Sequence, residues 1–157
     1  MENQWMKEAL KEARKAIQKE EVPIGAVIVK DGKVIARAHN LRETKRLATA
    51  HAEILAIEKA CKKLNAWRLE NCDMYVTLEP CIMCAGAIIH ARIKNLYIGA
   101  MDPKAGAAGS VINLFKDIKL NHEVNLFYQV DAEECSNIIK DFFKVLRKGE
   151  KYQKSGR

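Results

Sequence analysis

The stretch Pro80-Cys81-Ile82-Met83-Cys84 constrains this chain more than any other. Two thiols three residues apart at the start of a helix share one face of its first turn. Thiolates suit zinc, and the positive end of a helix favours their deprotonation. Two ligands do not complete a site. His51 is the obvious third, because it opens its own helical stretch and its ring can project beyond the helix end. Three protein ligands leave a fourth position for water, the catalytic rather than the structural arrangement. No fourth Cys or His stands at a ligand-like spacing. Zinc brings the ionisation of a bound water near neutrality, which makes it a usable nucleophile. Glu53 lies two residues beyond His51, and at a first turn both side chains lean over the open end of the helix. A carboxylate there can take a proton from that water and pass it to a leaving group. The bland alternative for an isolated His-x-Glu is a surface glutamate favoured near a helix start.

The rest of the chain is read for what builds, covers or feeds that site. Its 157 residues suit one domain with one substantial core, expected over residues 1–148, with 149–157 as a basic C-terminal tail. No apolar run is long enough to cross a bilayer, so no membrane role is expected. The first residues lack a basic region followed by an apolar one, so no secretory signal is expected either. Five cysteines, an odd number, argue against a disulfide framework and for a reducing cytoplasm. The net charge of +7 favours polyanionic partners, nucleic acid first. Much of the excess crowds the C-terminus, where Lys144, Arg147, Lys148, Lys151, Lys154 and Arg157 face one acid, Glu150.

Periodicity supplies the elements. Residues 2–19 carry Trp5, Met6, Ala9, Leu10, Ala13, Ala16 and Ile17 at helical spacing. Pro23 and Gly25 break the pattern. Residues 26–30 and 33–38 read as a hairpin about Asp31-Gly32, a pair that readily takes the positive φ angles of a tight turn. Residues 41–49 read as a polar, charged loop. Helices are expected over 51–64, 81–91 and 131–148, strands over 72–78, 94–99 and 123–130, and a short helix within 111–117. Cys61 falls on an apolar stripe and reads as core. His39 and His90 read as structural or exposed; His122 either reaches a nucleic acid or caps a local turn. The order of elements predicts an α/β fold, a single sheet covered by helices on both faces.

The sequence closely resembles the bacterial tRNA-specific adenosine deaminases of the cytidine deaminase superfamily. The resemblance runs over about residues 5–148. It is carried by Glu21-Val22-Pro23-Ile24-Gly25-Ala26-Val27, by Thr49-Ala50-His51-Ala52-Glu53-Ile54, by residues 75–88 around Pro80-Cys81-Ile82-Met83-Cys84, and by Gly106-Ala107-Ala108-Gly109-Ser110. His-x-Glu followed by Pro-Cys-x-x-Cys is itself the known signature of the zinc nucleobase deaminases. The resemblance implies a three-layer α/β/α fold with a five-stranded mixed sheet and a homodimer. It implies one zinc per subunit on His51, Cys81 and Cys84, with Glu53 as proton shuttle. The activity implied is hydrolytic deamination of adenosine to inosine at the wobble position of a tRNA anticodon stem-loop. Backbone groups near Ala52 and Leu78 would grip the base and Asn40 the flipped nucleoside. Asp102 and Lys104 match a loop that touches RNA, and Phe143 and Arg147 a helix face near flanking bases. Of Phe142 and Phe143, at least one is expected in the core. One departure stands out: Leu47-Ala48-Thr49 replaces the family's frequent Asp-Pro-Thr, which alters the approach loop and not the site.

Two other readings compete. One is a deaminase of a free nucleobase or nucleoside, of guanine or cytidine type, sharing the same zinc site. The other is a non-enzymatic zinc domain that binds RNA through its basic end. A free-base enzyme needs neither the basic C-terminus nor a polar approach loop, and a structural zinc domain normally closes its metal with four protein ligands.

Overall fold

Helix α1 (Gln4–Gln18) buries Met6, Ala9, Leu10, Ala13 and Ala16, the stripe its spacing predicts. The Asn3 side chain accepts from the Trp5 and Met6 amides at 2.9 and 3.0 Å, satisfying donors that a first turn leaves free. These features come from a computed structural model, described here for residues 3–149. Strands β1 (Gly25–Lys30) and β2 (Lys33–His39) form the expected hairpin, with φ of 52° at Asp31 and 71° at Gly32. The chain continues through α2 (Arg42–Lys45), α3 (Ala52–Leu64), β3 (Asp73–Leu78), α4 (Ile82–His90), β4 (Asn95–Ala100), β5 (Asn125–Phe127) and α5 (Ala132–Arg147).

The five strands make one mixed sheet in the order β2-β1-β3-β4-β5. The pairs β2/β1 and β1/β3 are antiparallel; β3/β4 and β4/β5 are parallel. Alternation along β1 shows that both faces are covered. Ala26 and Ile28 join a core with Ala56 and Ala60 of α3 and Ile88 of α4. Val27 and Val29 join another with Met6 and Leu10 of α1 and Cys135 of α5. The three-layer α/β/α fold therefore stands as the sequence predicts. Gly25 is where α1 lies directly on the sheet: a Cβ there would sit 2.0 Å from the Ala9 carbonyl oxygen.

Three local expectations need correction. The polar loop at 41–49 contains the one-turn helix α2, because a carboxylate from outside it, Glu21, accepts from the amides of Glu43 and Thr44 at 3.2 and 2.5 Å. Residues 111–117 form turns in place of a helix. There the Asp117 carboxylate accepts from the Asn113 amide at 2.9 Å, and the Asn113 side chain from the Phe115 amide at 3.1 Å. The strand expected over 123–130 shrinks to Asn125–Phe127, since positive φ at Gln129 and Asp131 ends the extended run. The basic tail lies outside the described residues from 150 onward.

Candidate active site

Helices α3 and α4 pack on the same face of the sheet, and the candidate ligands stand at their starts. His51 is the N-cap of α3 and Cys81 the N-cap of α4, both with extended backbone. Cys84 follows one turn into α4 and is buried. His51 Nδ1 faces Cys81 Sγ at 3.7 Å and Cys84 Sγ at 3.6 Å. One donor atom from each residue lies within 4.8 Å of the others, and no fourth His, Cys, Asp or Glu joins the group among the described residues. Zinc bonds of about 2.0–2.1 Å to imidazole and 2.3 Å to sulfur set a tetrahedral N···S edge near 3.6 Å. The donor set and its spacing fit that ion.

The electrostatics agree with the fit. The Cys84 side chain beside Cys81, helped by the His51 ring, holds the Cys81 thiol well below the usual range, while contact with Cys81 and burial push Cys84 up. The Cys81 sulfur in turn raises His51. Holding both sulfurs as thiolates at once would need positive charge between them, and a divalent cation would supply it. Glu53, only 4% exposed, sits in the first turn of α3, where burial pushes its carboxyl up to about 7. A carboxyl so placed exchanges protons near neutral pH.

A cleft of about 670 Å³ opens over this group. His51, Glu53 and Cys81 line its floor, and all five residues expected at the nucleic acid, Asn40, Asp102, Lys104, Phe143 and Arg147, line it too. Leu78 also lines it, whereas Ala52 is fully buried. The Asn40 amide is partly engaged: Oδ1 accepts from the Arg42 amide at 3.3 Å, and Nδ2 donates to the Val22 carbonyl at 3.4 Å. Asp102 Oδ1 accepts from the amides of Lys104 and Ala105, which folds its own loop. Phe142 is buried and Phe143 meets it edge-on at 5.3 Å, so one ring serves the core and its neighbour the cleft.

The other histidines are structural or remote. His39 Nδ1 meets Glu12 at 2.9 Å and Nε2 meets the Lys19 ammonium at 3.1 Å. The ammonium only donates, so Nε2 accepts from it, and Nδ1 donates to the Glu12 carboxylate. His122 Nε2 donates to the Ile93 carbonyl at 2.7 Å, which selects the local structural role. His90 is exposed at the far end of α4. Sequence reasoning missed Arg42 and Lys140, two further cations lining the cleft. It also gave no role to two buried acids, Glu21 and Glu79. The available signal was a carboxylate shortly before a proline, in Glu21-Val22-Pro23 and Glu79-Pro80.

Residues 1–147 match the family model of the MafB19-like deaminases. A tRNA-specific adenosine deaminase of Bacillus subtilis (strain 168) is 52% identical over 94% of this chain and 91% of that protein. The chain belongs to the tRNA-specific adenosine deaminase family. Among solved structures, one from work on A-to-I editing by tRNA:A34 deaminases at the wobble position of transfer RNA superposes on this deaminase with a TM-score of 0.83. It is 48% identical and is matched over 85% of this chain and 97% of that one. A guanine deaminase from Bacillus subtilis is less alike, at a TM-score of 0.61 and 38% identity over 92% of each chain.

Proposed function

We propose that this chain hydrolyses adenosine to inosine at the wobble position of a tRNA anticodon stem-loop, releasing ammonia. The observation that carries this reading is the cleft: an imidazole, a sulfur and a buried carboxyl at its floor, a second sulfur buried beside them, and Arg42, Lys104, Lys140 and Arg147 in its lining. A neutral free base has no use for four cations, whereas the phosphates flanking a nucleotide do.

His51, Cys81 and Cys84 would hold one zinc ion, whose Lewis acidity makes a water molecule nucleophilic near neutral pH. Glu53 moves the protons. It takes one proton from the attacking water as the oxygen bonds to C6 and delivers it to N1 of adenine. It then takes the remaining proton from the new C6 hydroxyl and gives it to the exocyclic amine, so that C6=O forms, the C6–N bond breaks and ammonia leaves. Its burial keeps bulk water from competing for those transfers, and its raised acidity range lets it both accept and give. The Leu78 backbone borders the base, Asn40 the ribose, Asp102 and Lys104 the RNA on one side, and Phe143 and Arg147 flanking bases on the other. An aromatic ring or guanidinium plane suits unstacked RNA.

The functional unit in this reading is a single domain over residues 1–148 working as a homodimer in the cytoplasm. Exposed Leu47, Ile82 and Val111 lie in segments leading into or out of the site, where a second copy would cover them. All five cysteines are free, as a reducing compartment requires. Among the described residues no helix is long and apolar enough to cross a membrane.

The deciding assay offers zinc-loaded protein an anticodon stem-loop with adenosine or cytidine at the wobble position, and free guanine in parallel. Inosine in the adenosine stem-loop alone supports the proposal. Conversion of guanine with the stem-loop untouched would replace it by the free-base reading.

A further inference from the structure

Glu21 and Glu79 are among the most buried charged residues of the protein, at 1% and 2% exposure, and the chemistry above uses neither. Each carboxylate is spent on donors from a distant segment. Glu79 Oε1 accepts from the Asp102 amide at 2.9 Å and from the Ser110 hydroxyl. Its Oε2 accepts from the amides of Ala108 and Ser110 at 2.9 and 3.0 Å. Glu21 Oε1 accepts from the Glu43 amide, and Oε2 from the amide and hydroxyl of Thr44. The two segments so held both line the cleft. One carries Asn40 and Arg42; the other carries Asp102, Pro103 and Lys104. Other bonds help at the ends of each segment, from the Asn40 and Leu41 amides to the Ile24 and Ala50 carbonyls and from the Ala107 amide and Tyr128 hydroxyl to the Pro80 and Ala108 carbonyls. The amides of Glu43, Thr44, Asp102, Ala108 and Ser110, however, are given to the two carboxylates. The α2 turn has no side-chain cap of its own, and 101–110 contains no helix and no strand beyond a lone bridge at Ala108. Space confirms how closely the second wall is fitted: a Cβ on Gly106 would fall 2.2 Å from the Glu79 carboxyl.

We infer that Glu21 and Glu79 are positioning residues that preset the two walls of the cleft for the nucleotides flanking the target, so that they govern how tightly the RNA is held and not how fast the held base reacts. The inference rests on the reading of the substrate as an RNA stem-loop. The reasoning is one of entropy. A wall already ordered before the RNA arrives does not charge its ordering to binding. Both oxygens of each carboxylate face donors only. A glutamine in either place would turn an N–H₂ group toward an N–H, so an isosteric change suffices to release the wall.

The test compares zinc-loaded wild type with Glu79→Gln and Glu21→Gln. It reads zinc content, KM and kcat on the adenosine stem-loop, and amide hydrogen exchange. Expected for Glu79→Gln are full zinc content, faster exchange at Asp102, Ala108 and Ser110 with Glu43 and Thr44 unchanged, and KM raised at least about tenfold with kcat changed less than about threefold. Glu21→Gln should give the mirror image, with faster exchange confined to Glu43 and Thr44. Should either glutamine variant not fold, Ser110→Ala and Thr44→Val each remove one hydroxyl donor, and a KM raised about threefold is expected from each. An unchanged KM beside faster loop exchange, a kcat that falls while KM holds, or exchange that speeds up throughout the sheet each overturns the inference. A wild type inactive on the stem-loop would overturn the substrate reading instead, and the exchange data would still show whether the carboxylates hold the walls.

Discussion

Glu53→Gln should make this protein more stable and nearly inactive at once. The side chain is 4% exposed, and burial lifts its carboxyl from the usual carboxylate range to about 7. A carboxyl whose range is raised by folding costs stability once the unfolded chain ionises. The cost is absent below about pH 4, grows as pH rises through the unfolded value, and is complete above about 7. A shift of that size corresponds to roughly 3 kcal/mol at neutral pH, as a ceiling. Glutamine keeps the shape and never ionises. In protein stripped of metal with a chelator, the variant should therefore exceed wild type by up to about 3 kcal/mol in urea unfolding at pH 7.5, with little difference at pH 4. With zinc bound the gain should shrink, because a nearby cation favours the carboxylate. Activity should fall by about 10²- to 10⁴-fold, the usual contribution of a positioned acid–base group, with zinc content unchanged. A metal-free variant less stable than wild type at pH 7.5, or one that keeps more than a tenth of the activity, would refute the reasoning.

Other expectations follow from packing and charge. Gly25→Ala places a methyl against the backbone of α1, 2.0 Å from the Ala9 oxygen and 2.6 Å from the Ala13 nitrogen, so it should cost about 3 kcal/mol, seen as a lower urea midpoint with an unchanged slope. Glu12 is opposed by its own burial, yet hydrogen bonds from Lys15 and His39 win and hold its carboxyl below the usual range. Its contribution is present above the ordinary carboxylate range and lost as pH falls through the depressed value; Glu12→Gln should be less stable than wild type at pH 7, and the gap should close in acid. Phe143→Ala should weaken stem-loop binding by about 5- to 150-fold at fixed salt, the worth of one base–ring stack, in a direct affinity titration.

What the sequence disclosed about the site, and what it withheld, divides along contact distance. His51, Glu53, Cys81 and Cys84 were legible because spacing places each pair within one helical turn. The fold then needs only two helix starts to meet on one face of the sheet for the three donors to gather within 4.8 Å. The central strands were legible for the same local reason: β1 and β3 are apolar runs buried on both faces. The failures are of two kinds: 111–117 is settled by short-range bonds of Asn113 and Asp117, which compete with a helix, while α2 depends on a residue far away in sequence. Helix α2 exists because Glu21, more than twenty residues earlier, offers its acceptor. Strand β5 is short because residues past Phe127 leave the extended region to enter α5. No window of sequence around Thr44 carries the Glu21 contact. The consequence reaches function. The groups proposed to break the C–N bond sit on helix starts specified by their own neighbours, while the segments proposed to meet the nucleotides, the one-turn α2 and the loop 101–110, donate hydrogen bonds to buried carboxylates elsewhere in the chain. On that proposal chemistry and selectivity are separately adjustable: substitutions within 40–45 or 101–110 should reshape what enters the cleft while the distances among imidazole, sulfurs and carboxyl stay where the helices put them.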